Sequence, residues 1–165
     1  MNKKLKILIY GFGNPGRQDD GIAIEAIEKT DNLLCRLKYE NVTTETSFQL
    51  NIEDAETISK YDLVLFVDAT IEKHIADFEI AQLKADPAVS FTMHAVSPQF
   101  IMDLCNQLFA KSPACFLLKI RGYCWEFGLP VSTRARNNLD HALYFLENFF
   151  FSTKKISELS TLLTG

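Results

Sequence analysis

Near the middle of the chain, every residue between two aspartates is apolar: Asp62-Leu63-Val64-Leu65-Phe66-Val67-Asp68. A strand with one face in water alternates apolar and polar side chains, so this uninterrupted run is typical of a strand covered on both faces. Covering both faces requires a layer of helices on each side of the sheet. The run therefore predicts a central strand in a three-layer domain.

Strand-like and helix-like segments alternate along the rest of the chain. Short aliphatic, aromatic or Thr-rich runs predict strands at residues 5–10, 42–48, 78–83, 89–93 and 115–122. Helical spacing or helix-start signals predict helices from Asp19, over residues 51–58 with Asn51 as the cap, from Ser97-Pro98, and from Ser132 to about Phe150. This order predicts an α/β fold: a three-layer αβα sandwich with a mostly parallel central sheet, of the phosphorylase/hydrolase-like type. We expect one domain over residues 1–151 and an appended helix or tail over residues 152–165.

The charge and hydropathy of the chain exclude several function classes. With 17 Lys+Arg and 21 Asp+Glu, the net charge is −4, which argues against nucleic-acid binding because that depends on neutralising phosphates. No apolar run approaches the ~20 residues of a membrane-spanning helix, and the first residues do not resemble a secretory signal. We therefore expect a cytoplasmic protein, a monomer, with no nucleic-acid and no membrane partner.

The four cysteines, Cys35, Cys105, Cys115 and Cys124, form no C-x-x-C motif. Neither a zinc ribbon nor a thioredoxin-type site is supported. We expect four reduced thiols that are buried or half-buried.

A glycine-rich loop follows the first predicted strand. Residues 11–16, Gly-Phe-Gly-Asn-Pro-Gly, satisfy the G-x-G-x-x-G pattern of dinucleotide-binding folds. Such a site needs free amides facing a pyrophosphate, whereas Pro15 lacks an amide and Asp19 and Asp20 add negative charge. The loop is therefore a dinucleotide site, a simple tight turn, or part of a site of another kind, and the aspartates disfavour the first.

Two acidic residues and a histidine follow predicted strands. Asp20 lies beyond the first strand, Asp68 ends the apolar run, and His94 follows the strand predicted at residues 89–93. Ligand sites of open α/β sheets lie where the strands end, so we expect these side chains to converge. Two carboxylates and an imidazole suit Zn, Ni, Mn or Fe(II), and the pattern predicts a metal site.

The remaining polar residues of the first loop have supporting roles. Asn14 is expected to hold the loop through backbone hydrogen bonds. Asp19 either orients Asp20 or a partner, or interacts with the helix dipole. Arg17 either binds a substrate carboxylate or pairs with Asp19.

The segment Gly11-Phe12-Gly13-Asn14-Pro15-Gly16-Arg17-Gln18-Asp19-Asp20-Gly21 resembles the G-x-G-N-x-x-R-x-D-D-G signature of the hydrogenase maturation endopeptidases. Further similar segments follow in order at residues 48–50, 65–69, 94–98, 120–128 and from 132 onward. The resemblance spans about residues 4–150.

The resemblance implies a peptidase that trims the C-terminal extension from the large-subunit precursor of a nickel–iron hydrogenase. It assigns both metal binding and catalysis to Asp20, Asp68 and His94, with Gly11, Gly13, Asn14, Arg17, Asp19 and Gly21 forming the supporting loop. It implies no serine or cysteine nucleophile. The metal is nickel supplied by the substrate, and zinc or cadmium are other cations that fit the site.

Three features depart from the family pattern: Ala23 stands where glycine is frequent, Phe48 replaces a polar residue, and residues after 151 have no counterpart.

The alternative functions are a non-catalytic module that binds a metal-loaded protein, a nucleotide-binding domain, or an enzyme like peptidyl-tRNA hydrolase, which shares the glycine loop. An enzyme like peptidyl-tRNA hydrolase requires a histidine near the start of the first helix, and no histidine occurs in this chain before His74.

Overall fold

A computed structural model describes residues 5–85 and 96–150, with side chains through residue 148. It contains a five-stranded sheet in the order β2-β1-β3-β5-β4. The strands are β1 (Ile7–Phe12), β2 (Val42–Ser47), β3 (Leu63–Thr70), β4 (Phe78–Gln82) and β5 (Ala114–Arg121). Only the edge strand β4 is antiparallel to its neighbour. The other four strands end at one side of the sheet, the carboxyl edge.

The helices follow the predicted order: α1 (Ile22–Leu37), α2 (Asp54–Ile58), α3 (Pro98–Phe109) and α4 (Thr133–Phe145). A 3-10 turn, Gln18–Gly21, precedes α1, and a π-helical turn, Leu146–Phe150, continues α4. The strand predicted at residues 89–93, His94 and the predicted tail at residues 152–165 lie outside the described residues.

The two faces of the sheet pack against different helices. Ile7, Ile9 and Leu65 belong to the core shared with α1 and α4, whereas Leu8 and Phe66 belong to the core shared with α2 and α3. Alternate side chains of one strand thus point into two apolar layers. This confirms the three-layer αβα sandwich and the fully covered central strand.

Serines begin the two longer helices that follow β4 and β5. The Ser97 hydroxyl accepts from the Phe100 N–H at 3.2 Å, and the Ser132 hydroxyl accepts from the Ala135 N–H at 3.2 Å. Both serines are N-caps, and the two helices begin where the sequence predicted. The prediction for Asn51 was wrong: Glu53 occupies the N-cap of α2, and the carboxylate of Asp54 accepts from the Asn51 N–H at 2.7 Å.

The cysteines are free thiols. Cys105 and Cys115 are buried and Cys124 is half-buried, but Cys35 is exposed. The expectation of burial was wrong for Cys35, which lies on the solvent side of α1. Within residues 5–85 and 96–150, no helix combines the length and the apolar character needed to cross a membrane.

Candidate active site at the carboxyl edge

The loop between β1 and α1 is held by its own polar groups. The Asn14 side-chain oxygen accepts from the Gly16 N–H at 2.8 Å, and its backbone oxygen accepts from the Arg17 N–H at 3.1 Å. The Asp20 carboxylate accepts from the Asn14 N–H at 3.0 Å. Asn14 therefore holds the loop as predicted, and the loop in turn fixes the carboxylate of Asp20.

These bonds leave little of the loop for a phosphate. The Gly13 N–H donates to the Ser47 carbonyl at 3.1 Å, the amides of Asn14, Gly16 and Arg17 are bonded as described, and Pro15 has none. A phosphate cradle needs amides that point at the ligand. The loop is built as a tight turn that presents carboxylates.

Two glycines allow this turn to close on itself. A Cβ on Gly13 would lie 2.1 Å from the Asp20 carbonyl oxygen, and one on Gly21 would lie 2.8 Å from the Pro15 Cα. The backbone of the loop thus contacts the first turn of the helix directly, which brings Asp20 back over the end of β1.

Asp68 lies near the end of β3, on the face that carries Phe66 and packs against α2 and α3. Burial, and to a smaller extent the negative charge of Asp20, raises the pKa of Asp68 to about 7, although the Ala69 N–H and the Lys119 ammonium act in the opposite direction. The structure therefore brings Asp20 and Asp68 together at one edge, as the sequence predicted.

Lys119 is a site residue that the sequence analysis missed. It pairs with Asp68 in the β3–β5 register, and its ammonium donates to the Glu72 carboxylate at 2.7 Å. The signal in the sequence is a single lysine inside the apolar strand Ala114–Arg121. Its importance became evident only from the register that places it beside the half-buried Asp68.

The Asp19 carboxylate is bonded to a distant part of the chain. It is fully buried, and its carboxylate accepts from the N–H groups of Tyr123, Cys124 and Ser132 at 2.7–2.9 Å and from the Ser132 hydroxyl at 2.9 Å. These donors belong to the β5–α4 loop and the cap of α4. Asp19 therefore joins two loops of the carboxyl edge and lies at the amino end of α4.

Further contacts join the same two loops. The Gly128 N–H donates to the Gly16 carbonyl at 3.0 Å, and the Arg17 guanidinium lies over the Phe127 ring, 5.9 Å from its centroid. Arg17 makes no ion pair with Asp19, whose oxygens are occupied by the donors above. Pairing between them is thus excluded as the role of Arg17.

The predicted metal triad is only partly described. Asp20 and Asp68 are at the same edge, whereas His94 lies outside the described residues and stays a prediction. Among the residues that the structure describes, no group of three His, Cys, Asp or Glu side chains is arranged to hold a metal ion.

No protein-family model matches the sequence, and no curated protein matches it significantly. Solved structures do match in fold: the nickel–iron hydrogenase maturation protease HycI from Thermococcus kodakarensis aligns with a TM-score of 0.69 and 20% identity, over 88% of this chain and 92% of that one. This chain has the fold of the hydrogenase maturation proteases. The maturating endopeptidase HybD from Escherichia coli aligns with a TM-score of 0.60 and 17% identity, over 86% and 92% of the two chains. The endopeptidase HycI from Escherichia coli aligns with a TM-score of 0.60 and 20% identity, over 87% and 90%.

The likeness extends over most of the described chain. It confirms, at the level of the fold, the resemblance to the hydrogenase maturation endopeptidases that is seen in the sequence.

Proposed function

We propose that this chain is a metal-dependent endopeptidase that removes the C-terminal extension of a nickel-loaded hydrogenase large-subunit precursor. The observation that carries the proposal is the convergence of Asp20 and Asp68 at the carboxyl edge of a fold shared with hydrogenase maturation proteases.

The donor atoms fit a divalent cation. Carboxylate oxygens with an imidazole nitrogen are suitable ligands for nickel, and a cation between the two carboxylates would remove their mutual repulsion. One Asp20 oxygen accepts from the Asn14 N–H, which orients the carboxylate without occupying both of its oxygens. In the proposal, nickel belongs to the substrate, and Asp20, Asp68 and His94 bind it.

The position of α3 favours His94 as the third ligand. α3 leads through residues 110–113 into the beginning of β5, at the amino edge of the sheet. Its first turn, with the cap Ser97, therefore lies toward the carboxyl edge, on the face that carries Asp68. His94 precedes Ser97 by three residues in the sequence.

Several of the described nucleophile candidates have other roles. The hydroxyls of Ser47, Ser97 and Ser132 bond within their own turns, caps or loop contacts, and burial raises the pKa of the Cys115 thiol to about 12. His74 and His141 face carboxylates. We therefore assign cleavage to water, which attacks the carbonyl carbon of the scissile peptide so that its C–N bond breaks; the substrate's metal would polarise the carbonyl or activate the water.

The test is the mass of a nickel-loaded precursor before and after incubation with the protein. We expect the wild type to release the C-terminal extension, and Asp20→Ala, Asp68→Ala and His94→Ala to release none. Asp140→Ala is the matched control, because Asp140 is an exposed residue of α4 that forms an ion pair with Lys29 of α1. Retained cleavage by two of the three site variants would contradict the assignment of Asp20, Asp68 and His94 to the active site. A precursor bound by the wild type with unchanged mass would instead show a non-catalytic binding module.

A further inference from the structure

The loops at the carboxyl edge expose several large apolar side chains. Phe127 is 75% exposed and Ile71 is 70% exposed. These two and three others, all on loops that follow the ends of β2, β3 and β5, form the apolar rim: Phe48, Ile52, Ile71, Phe127 and Leu129. Clusters of this kind on a water-facing surface mark interaction sites.

Backbone hydrogen bonds make the rim continuous with the candidate site. The β1–α1 loop, which holds Asp20, is joined to the end of β2 by the bond between Gly13 and Ser47 and to the β5–α4 loop by the bond between Gly16 and Gly128. The Gly122 N–H donates to the Thr70 carbonyl at 2.9 Å, which joins the ends of β3 and β5. The loops that carry the apolar side chains are therefore joined to the loop and strand that carry the two carboxylates.

Arg17 adds a positive charge to this surface. Its guanidinium lies over the exposed Phe127 ring, and within the described part of the chain it forms no ion pair with a carboxylate. An arginine held on an aromatic ring is well placed to bind a carboxylate through two parallel N–H donors.

We propose that the apolar rim and Arg17 dock the precursor protein itself, which presents an apolar surface with an acidic side chain opposite Arg17. This inference rests on the proposed function. It assigns recognition to residues that lie outside the metal-binding set, with Phe127 and Arg17 at the centre of the contact.

The position and charge of the rim favour the precursor protein. The rim lies on loops that are hydrogen-bonded to the loop carrying Asp20, so a protein whose metal is held at Asp20 and Asp68 would also meet the rim and the Arg17 guanidinium. A second copy of the chain on the rim would cover Asp20 and Asp68. The net charge of −4 provides no general attraction to anionic lipid.

The experiment compares the processing kinetics of a nickel-loaded precursor by the wild type, Phe127→Ser and Arg17→Glu. We expect each substitution to raise KM about tenfold or more, as at interface hot spots. In Phe127→Ser, kcat should change less than about twofold because the site carboxylates and their loop are untouched. Arg17→Lys should recover part of the loss. Leu108→Ser is the matched control, since Leu108 is 64% exposed at the far end of α3. Circular dichroism confirms that each variant is folded.

The outcomes separate the two proposals. If the wild type cleaves the precursor and both rim variants keep its KM, the docking surface is wrong and the proposed function stands. If the wild type neither binds nor cleaves the precursor, both are wrong. If the wild type forms dimers and Phe127→Ser is monomeric, the rim is a contact between two copies of the chain. If the wild type sediments with phosphatidylserine vesicles and Phe127→Ser does not, the rim binds a membrane. Either result would overturn the rim proposal.

Discussion

The carboxylate of Asp19 accepts two hydrogen bonds from Ser132, one from its N–H at 2.7 Å and one from its hydroxyl at 2.9 Å. The same hydroxyl caps α4 by accepting from the Ala135 N–H. One buried side chain thus fixes the start of the last helix relative to the first loop. Because Asp20 is the next residue, the geometry of the candidate site depends on this contact.

Replacing Asp19 by alanine should lower the free energy of unfolding by about 3 kcal/mol or more, because it leaves several buried donors without an acceptor. Asp19→Asn should lose less, since the amide keeps one acceptor oxygen. Urea denaturation measures both. The control Asp140→Ala removes an exposed ion pair and should change stability by less than about 1 kcal/mol. Equal losses in Asp19→Ala and the control would contradict the structural role.

The sequence could predict features that depend on local pattern. The apolar run before Asp68 indicated the central strand, and Ser97 and Ser132 indicated two helix starts, because burial on both faces and capping leave local signatures. The joint placement of Asp20 and Asp68 followed from the rule that parallel strands end together. Each of these predictions needed only short-range information.

Other features required the tertiary structure. The partners of Asp19 lie 104–113 residues away along the chain, and no periodicity shows which distant amides a carboxylate will meet. Lys119 became a site residue only through the β3–β5 register. The exposure of Cys35 depends on which side of α1 faces solvent, and a cysteine fits either side.

Gly13→Ala should destabilise the chain by about 2–3 kcal/mol, because the new methyl group would overlap the Asp20 carbonyl oxygen 2.1 Å away. The displaced loop should also reduce processing, since it carries the Asp20 side chain. Thermal unfolding and the precursor assay measure the two effects. Gly16→Ala provides the comparison, because its Cβ would meet only the Asn14 side-chain oxygen at 3.2 Å. A larger loss for Gly16→Ala than for Gly13→Ala would be inconsistent with this packing.

Cys124→Ser should process the precursor within about twofold of the wild-type rate. Cys124 contributes to the carboxyl edge through its N–H, which donates to Asp19 at 2.9 Å, and serine retains that group. The proposed cleavage uses no sulfur nucleophile. A time course by mass spectrometry, with Asp20→Ala as the inactive reference, measures the rate. A loss of about a hundredfold or more in a folded Cys124→Ser protein would point to covalent catalysis by the thiol.

Asp68→Asn should stabilise the metal-free protein at pH 8 and not at pH 4. Burial raises the pKa of Asp68 from its ordinary value of about 4 to about 7. The folded chain therefore binds more protons than the unfolded chain between these values, and wild-type stability falls as the pH rises through that window. Asparagine removes the buried charge, so its advantage should grow from near zero at pH 4 to at most about 4 kcal/mol at pH 8. Urea denaturation in a chelating buffer at both pH values measures the difference. If Asp68→Asn and the wild type differed in unfolding free energy by the same amount at pH 4 and pH 8, the charge of Asp68 would not destabilise the folded protein.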